Sequence, residues 1–313
     1  MHNFKKGNKD FIGAAFENNT EFVNIFFNTF DIYNMYCGQG DVDYDKKTGD
    51  INGKIVSRYS STNIETSKYD IGTIIKKVWR PGLNLNIKEA LEIDDGEMQR
   101  GLKSLKILSD RLNDILLFIE PDTYALQCHG HKIRELLILA CTEVESLWKT
   151  YLDIAGQSKD RATTVDYVKL NNALYLFEYK LTLKAYPFNI SYKPFNGWNA
   201  SSPTQTLPWY NAYNETKHDK IHNFDKAKLE HCIQAIMAAI IMFCVRYSPY
   251  MLREDRSIAA TTITDLFTVE LDNPDKKTFY IPAIKSVSMS SGAFSTPLAS
   301  NFERSWEIKP LVI

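Results

Sequence analysis

Asn214, Lys217 and His218 stand together in the segment PWYNAYNETKHDKIHNF, which leads into the most apolar stretch of a 313-residue chain. Asn214 and His218 are four residues apart, so on a helix they share a face, with Lys217 beside them. Such a group can hold a phosphodiester. The amide orients it, the lysine balances its charge, and the imidazole moves a proton near neutral pH. The same residues serve equally as a structural pin, bonding to nearby backbone and tying a loop to a core.

A counterpart lies upstream in KIRELLILACTEVESLWKTYL. Leu136, Ala140, Glu143, Leu147 and Tyr151 fall along one helical stripe, and Glu143 interrupts a row that otherwise reads as buried. A carboxylate there is costly unless paired or protonated, and Lys217 or His218 is a suitable partner. Arg134 and Glu145 sit on the neighbouring stripe with Cys141.

Other patterns carry less. His218 and His222 have the four-residue spacing of zinc ligands, but no glutamate of the metalloprotease type lies between them. Asp41, Asp43 and Asp45 have calcium-loop spacing, yet Lys46 replaces the required glycine and Asn52 the closing glutamate. A turn at Lys46 to Gly49 between two short strands accounts for those residues. Lys76, Lys77 and Arg80, interleaved with Val78 and Trp79, read as a solvated face in preference to a nucleic-acid groove. His129 and His131 read as solvated at a helix entrance. Neither a phosphate-binding glycine loop nor a serine nucleophile elbow is present, and no cofactor or metal is expected.

Three regions would position these residues. Residues 1–90 mix an aromatic helix, near Glu21 to Tyr36, with hairpin-like sequence. Residues 91–248 read as a helical bundle. Met98, Leu102, Leu105, Leu108, Leu112, Ile115 and Leu116 recur at helical steps, and Pro121 stops that helix. A second helix spans His131 to Ile154, and a third runs from Val165 to Leu183 with Tyr167, Leu170, Leu174, Phe177 and Leu181 inward. After a loop from Tyr186 to Pro208 come a short helix near Pro208 to Asp219 and a long one N-capped by Asp225. Residues 249–313 lose helical period, with strands expected at Asp265 to Leu271, Thr278 to Ile284 and Trp306 to Ile313. The expected fold is mainly α: a helical bundle core, a mixed N-terminal segment and a small β-rich C-terminal extension.

Composition sets outer bounds. The 37 basic and 38 acidic side chains nearly cancel, which argues against a protein that coats nucleic acid generally but leaves room for a local groove. The five cysteines share no metal-ligand spacing, and Cys141, Cys232 and Cys244 lie in apolar helical runs, so reduced thiols in a cytoplasmic protein are expected. The N-terminal residues lack the apolar core of a signal peptide. The run Ile233 to Val245 is shorter than the ~20 residues of a membrane span and reads as a buried core helix, so no membrane partner is expected.

Taken in order, IRELLILACTEVESLWKTYL, YPF, PFNGW, WYNAYNETKHDKIHNF and AIMAAIIMF resemble uncharacterised bacterial proteins related to the HEPN superfamily of four-helix nucleotide- and RNA-processing domains. The resemblance covers Lys132 to Phe243. It implies an α-helical bundle that often forms a homodimer. Nuclease members of that superfamily cut RNA without metal and serve in toxin–antitoxin and antiviral defence systems beside partner proteins. Their motif is arginine, a polar residue, about three variable residues, then histidine. Asn214 and His218 match it, while Tyr213 occupies the arginine position, so Lys217 or Arg134 from another helix would have to stabilise the developing charge. On this reading His218 transfers protons, Asn214 and Lys217 hold the phosphate, Glu143 orients the basic groups, and Arg134, Tyr213 and Trp209 border the RNA. The competing expectation is a non-catalytic protein- or nucleotide-binding module. There the cluster is a buried pin, and the aromatic loop from Phe188 to Tyr210, with Trp198 and Trp209, is the partner surface. Exposure separates the two. A site needs His218 on the floor of an open groove, whereas a pin needs it enclosed.

Overall fold

The structure, a computed structural model, describes residues 2–5, 12–29, 36–37, 41–61, 63–184, 186–187, 190–219, 221–254, 257–287 and 292–313. The chain divides into two compact units, Met1–Glu92 with Asn273–Lys309, and Ile93–Asp272 with Pro310–Ile313.

The first unit contains β1 (His2–Lys5), β2 (Ile12–Glu17), β3 (Glu21–Thr29), β4 (Tyr36–Cys37), β5 (Asp41–Lys46), α1 (Ile51–Tyr59), β6 (Ile64–Thr66), β7 (Thr73–Ile75) and α2 (Ile87–Ala90). Its C-terminal part adds β11 (Phe294–Pro297), α11 (Leu298–Asn301) and β12 (Glu307–Lys309). The main sheet has the order β11-β5-β3-β2-β1-β6, all antiparallel, with β4 paired to the end of β3. β12 pairs in parallel with β7.

The stretch expected as an aromatic helix near Glu21 to Tyr36 is strand from Glu21 to Thr29, and residues 30–35 lie outside the described residues. Val23, Ile25 and Phe27 pack with Phe16, Val42 and Phe279, while Phe22 and Phe26 pack on the other face with Ile55 and Tyr59 of α1. A strand buried on both faces shows neither alternation nor a clean helical period, which is why local pattern misread it.

The turn after β5 leads into α1, not into a second strand. Asp50 caps α1 by accepting from the Gly53 amide at 2.9 Å. Asp43 and Asp45 pair with Arg58 (3.6 and 2.9 Å), and Asp45 also with Lys54 (2.8 Å), so these acids are spent on α1. Arg80 is fully buried and donates to the Thr278 hydroxyl, so it belongs to neither a solvated face nor a groove. Two residues on, Gly82 has φ of +91°, and a Cβ there would fall 1.8 Å from the Tyr280 carbonyl oxygen. Only glycine fits.

The second unit contains α3 (Asp95–Leu116), α4 (His131–Ile154), α5 (Thr164–Tyr167), α6 (Lys169–Ala173), β8 (Tyr179–Leu183), β9 (Ile190–Tyr192) and α7 (Pro208–His218). It continues with α8 (Leu229–Tyr247), α9 (Tyr250–Glu254), α10 (Ile258–Leu266) and β10 (Phe267–Leu271). α3 and α4 follow the expected periodicity, and Asp94 caps α3 by accepting from the Glu97 amide at 2.6 Å. Thr216 near the end of α7 meets Arg134 near the start of α4, and Tyr210 meets Glu145, so the two helices run antiparallel.

α8 is buried from Ala235 to Tyr247 without a break. Its length and apolar composition are those of a membrane span, with 83% of that window buried inside the protein, in contact with α3, α4 and α7. It starts later than expected. Asp225 lies in a 3-10 turn, Phe224–Lys226, and Lys228 precedes the first helical residue.

The expected helix from Val165 to Leu183 is broken. The chain leaves helix at Tyr175, whose φ is +55°, and β8 then pairs antiparallel with β10 and β9. Tyr179, Leu181 and Leu183 are buried in the alternating pattern that pairing requires. Thr278 to Ile284 is not a strand either. It holds the end of a 3-10 turn, and Ile284 makes an isolated bridge to Phe302.

The mainly α expectation is therefore corrected. With 46% helix and 17% strand the fold is mixed α/β, not a helical bundle with small additions. Strands such as β11 and β8 were underread because they are completed by distant segments: β11 closes on β5 from the opposite end of the sequence, and β8 is joined by the much later β10.

Candidate functional site

α7 starts with Pro208 at its first position, where the fixed φ of proline suits a helix entrance. Its buried face carries Trp209, Tyr210, Ala212, Tyr213 and Thr216. Asn214 is half-buried, and Lys217 and His218 are exposed. The Trp209 indole donates to the Pro194 carbonyl at 2.9 Å, and Asn171 donates to the carbonyls of Phe195 and Trp198 at 3.3 and 2.9 Å. These bonds fold the aromatic loop inward. Trp148 of α4 lies at its centre, with ring centroids of Tyr167, Trp198 and Tyr210 5.1, 5.0 and 5.2 Å away. Trp198 and Trp209 are thus core, at 4% and 0% exposure, and not the partner surface expected of them. Phe188 lies outside the described residues.

Polar groups between α4 and α7 close on one another. The Tyr210 hydroxyl donates to the Glu145 carboxylate. Lys217 donates to the Tyr213 hydroxyl at 2.8 Å, with its ammonium 4.9 Å from that ring's centroid. Arg134 donates to the Thr216 carbonyl at 2.8 Å, which satisfies one of the orphan acceptors in the last turn of α7. Burial pushes the Tyr210 phenol far above its usual range, and the bond to Glu145 pushes it further. Burial also raises Tyr213, against the lowering effect of Lys217. The Tyr213 bond in turn raises Lys217. At neutral pH both phenols are neutral, Tyr210 donating to Glu145 and Tyr213 accepting from the Lys217 ammonium. Cys141, fully buried beside them, is held as a thiol well above its usual range by desolvation, so it is no nucleophile.

Glu143 is elsewhere. Residues two apart on a helix differ in direction by about 200°, so Glu143 and Glu145 leave α4 on nearly opposite sides. Glu143 lines a cleft of about 220 Å³ with Glu97 and Gly101 of α3 and Phe243 and Tyr247 of α8. The carboxylate that meets α7 is Glu145. The sequence carried the signal in the spacing of Arg134, Cys141, Glu145 and Trp148, a second stripe with the right residues for α7.

His218 and Asn214 make no hydrogen bond or ion pair among the described residues. His222 bonds through Nδ1 to the Asp219 carboxylate at 2.8 Å, and no cluster of His, Cys, Asp and Glu among the described residues has metal-site geometry. His129 and His131 are exposed, with rings 5.8 and 4.8 Å from that of Phe224. Of the sequence-predicted set, the structure gathers Arg134, Tyr213 and Lys217 around the end of α7, with His218 adjoining. It places Trp209 in the core and Glu143 across α4. No protein-family model, no curated protein and no solved structure matches this chain.

Proposed function

We propose that the helical unit is a non-catalytic interaction module and that the α4–α7 cluster is its structural pin. One observation carries this reading. The groups that would neutralise a phosphate, Arg134 and Lys217, are engaged within the α4–α7 cluster, Glu143 lies on the other side of α4, and His218 stands exposed with neither it nor Asn214 bonded among the described residues. Lys217 and His218 occupy the last turn of α7, where cations offset the negative end of the helix dipole. That end, with Glu215 and Asp219 beside it, is a poor place for a phosphate. A surface for a partner protein is available instead. Leu117, Phe118 and Tyr124, at the end of α3 and in the following loop, are exposed at 71%, 85% and 87%.

A second reading keeps the resemblance to HEPN ribonucleases. It is favoured by Arg134, which reaches the last turn of α7 from another helix and would supply the arginine that Tyr213 replaces. In that case His218 transfers the proton, Asn214 and Lys217 hold the phosphate, a second copy of the chain completes the site, and Glu143 takes no part.

The test is incubation of the wild type and His218→Ala with total RNA in EDTA, with thermal melts of both. We expect intact RNA in both cases and matching melts. Cleavage by the wild type alone would overturn the module reading and establish the second one.

A further inference from the structure

The outward face of α3 is patterned as regularly as its core face. Ile107, Arg111, Asp114 and Phe118 recur at steps of four, three and four, on the side opposite Leu102, Leu105, Leu112 and Leu116. That is the spacing by which one helix presents a seam to another. Phe118 stays on the helical path, because the amides of Phe118 and Ile119 both bond to the Ile115 carbonyl, at 3.1 and 3.2 Å. The seam is open: Ile107 is 48% exposed and Phe118 85%, and Arg111 and Asp114 are exposed between them. Beside Phe118 lies a cleft of about 280 Å³ with Ile119 and Ile133 in its wall.

The charges around the seam are accounted for as follows. Lys106 and Asp110 on its flank pair with each other at 2.5 Å. Lys132 and Glu135 of α4 line a cleft with Arg111 and Asp114, and none of these four makes an ion pair or hydrogen bond among the described residues. Arg100 and Lys103 extend the face toward the start of α3, beyond Ile107 and outside the seam.

We infer that α3 pairs with α3 of a second copy of this chain, antiparallel, about a two-fold axis passing between Arg111 and Asp114. In that register each Arg111 meets the Asp114 of the other copy, and each Ile107 meets the other Phe118 and the apolar cleft beside it. Both matches are made twice, which is the self-complementarity an isologous interface requires and a foreign partner does not. Parallel pairing would set Arg111 on Arg111 and Asp114 on Asp114, so the charges select the antiparallel arrangement. One helix pair, flanked by Leu117 and Tyr124, is a small interface, and the dimer is accordingly weak and concentration-dependent. The inference rests on the module reading for the use of this surface and names the partner. It uses none of Asn214, Lys217 and His218, so it is not the pairing that a ribonuclease site on α7 would need.

Sedimentation velocity of the full chain over a hundredfold range of concentration tests it. Monomer should give way to dimer as concentration rises. Phe118→Asp, Arg111→Asp and Asp114→Arg should each weaken association at least tenfold with unchanged circular dichroism, since all three side chains are exposed. Combining Arg111→Asp with Asp114→Arg should return the affinity to within about threefold of wild type, because the exchanged charges again face their opposites. A monomer at every concentration overturns the inference, as does a double exchange no tighter than the single changes. A dimer lost in His218→Ala but kept in Phe118→Asp also overturns it and puts the axis on α7. The module reading fails separately, on RNA cleavage by the wild type, whatever the state of association.

Discussion

The two sides of α4 carry similar residues and do opposite things. On one, Cys141, Glu145 and Trp148 face α7, where the carboxylate is engaged by a tyrosine and the indole is enclosed by aromatic rings. On the other, Glu143, Ser146 and Leu147 border an open cleft, and the carboxylate has nothing bonded to it among the described residues. The difference teaches that a glutamate on a helix acquires its role from what the chain folds over it. The closed side is built for stability, and on the open side the carboxylate is left to solvent.

Mutations should break this comparison in a definite order. Trp148→Ala removes the centre of the aromatic cluster and should cost about 3–5 kcal/mol, read from the urea midpoint. A loss under about 1 kcal/mol would mean the closed side is not the core it appears from its burial. Tyr210→Phe leaves Glu145 without its donor and should cost about 1–3 kcal/mol in the same assay. At the small end, His218→Ala and Glu143→Gln should stay within about 0.5 kcal/mol of wild type, because neither side chain is enclosed. A large loss from Glu143→Gln would make the open side structural too.

Alkaline pH sharpens the contrast. Burial raises the phenols of Tyr210 and Tyr213 in the folded state, and Tyr167 on the same side of α4 is raised to about 12. An unfolded tyrosine ionises near pH ~10. A folded pKa above the unfolded one contributes stability that is complete below pH ~10 and declines as pH rises beyond it. The melting temperature should therefore fall above pH ~10, and fall less steeply in Tyr210→Phe. An equal slope in the two proteins would show that Tyr210 is not the titrating group.

Much of the helical unit was legible because its signals are local. The heptad-like recurrence from Met98 to Leu116, the span of α4 and the proline entrance of α7 need only neighbours in sequence to declare themselves. β3 did not, since it is buried on both faces and shows no alternation, and β8 did not, since its partner β10 lies far along the chain; β10 and β12 fall within strands the sequence led one to expect. The candidate site shows the same division. Asn214, Lys217 and His218 were correctly placed on one short helix, while the wrong glutamate was matched to them. Glu143 interrupts an apolar stripe and so drew notice; Glu145 sits on a stripe whose partner, Tyr210, is 65 residues away.

By itself the sequence determined α3, α4 and α7 as helices, a long helix whose last half is almost wholly apolar, and which side chains on them share a face, because the 3.6-residue turn sets these locally. Only the tertiary structure decided which face of α4 is covered by α7 and which is left open. That choice depends on how the aromatic loop packs over Trp148, a matter of long-range burial that no local periodicity encodes.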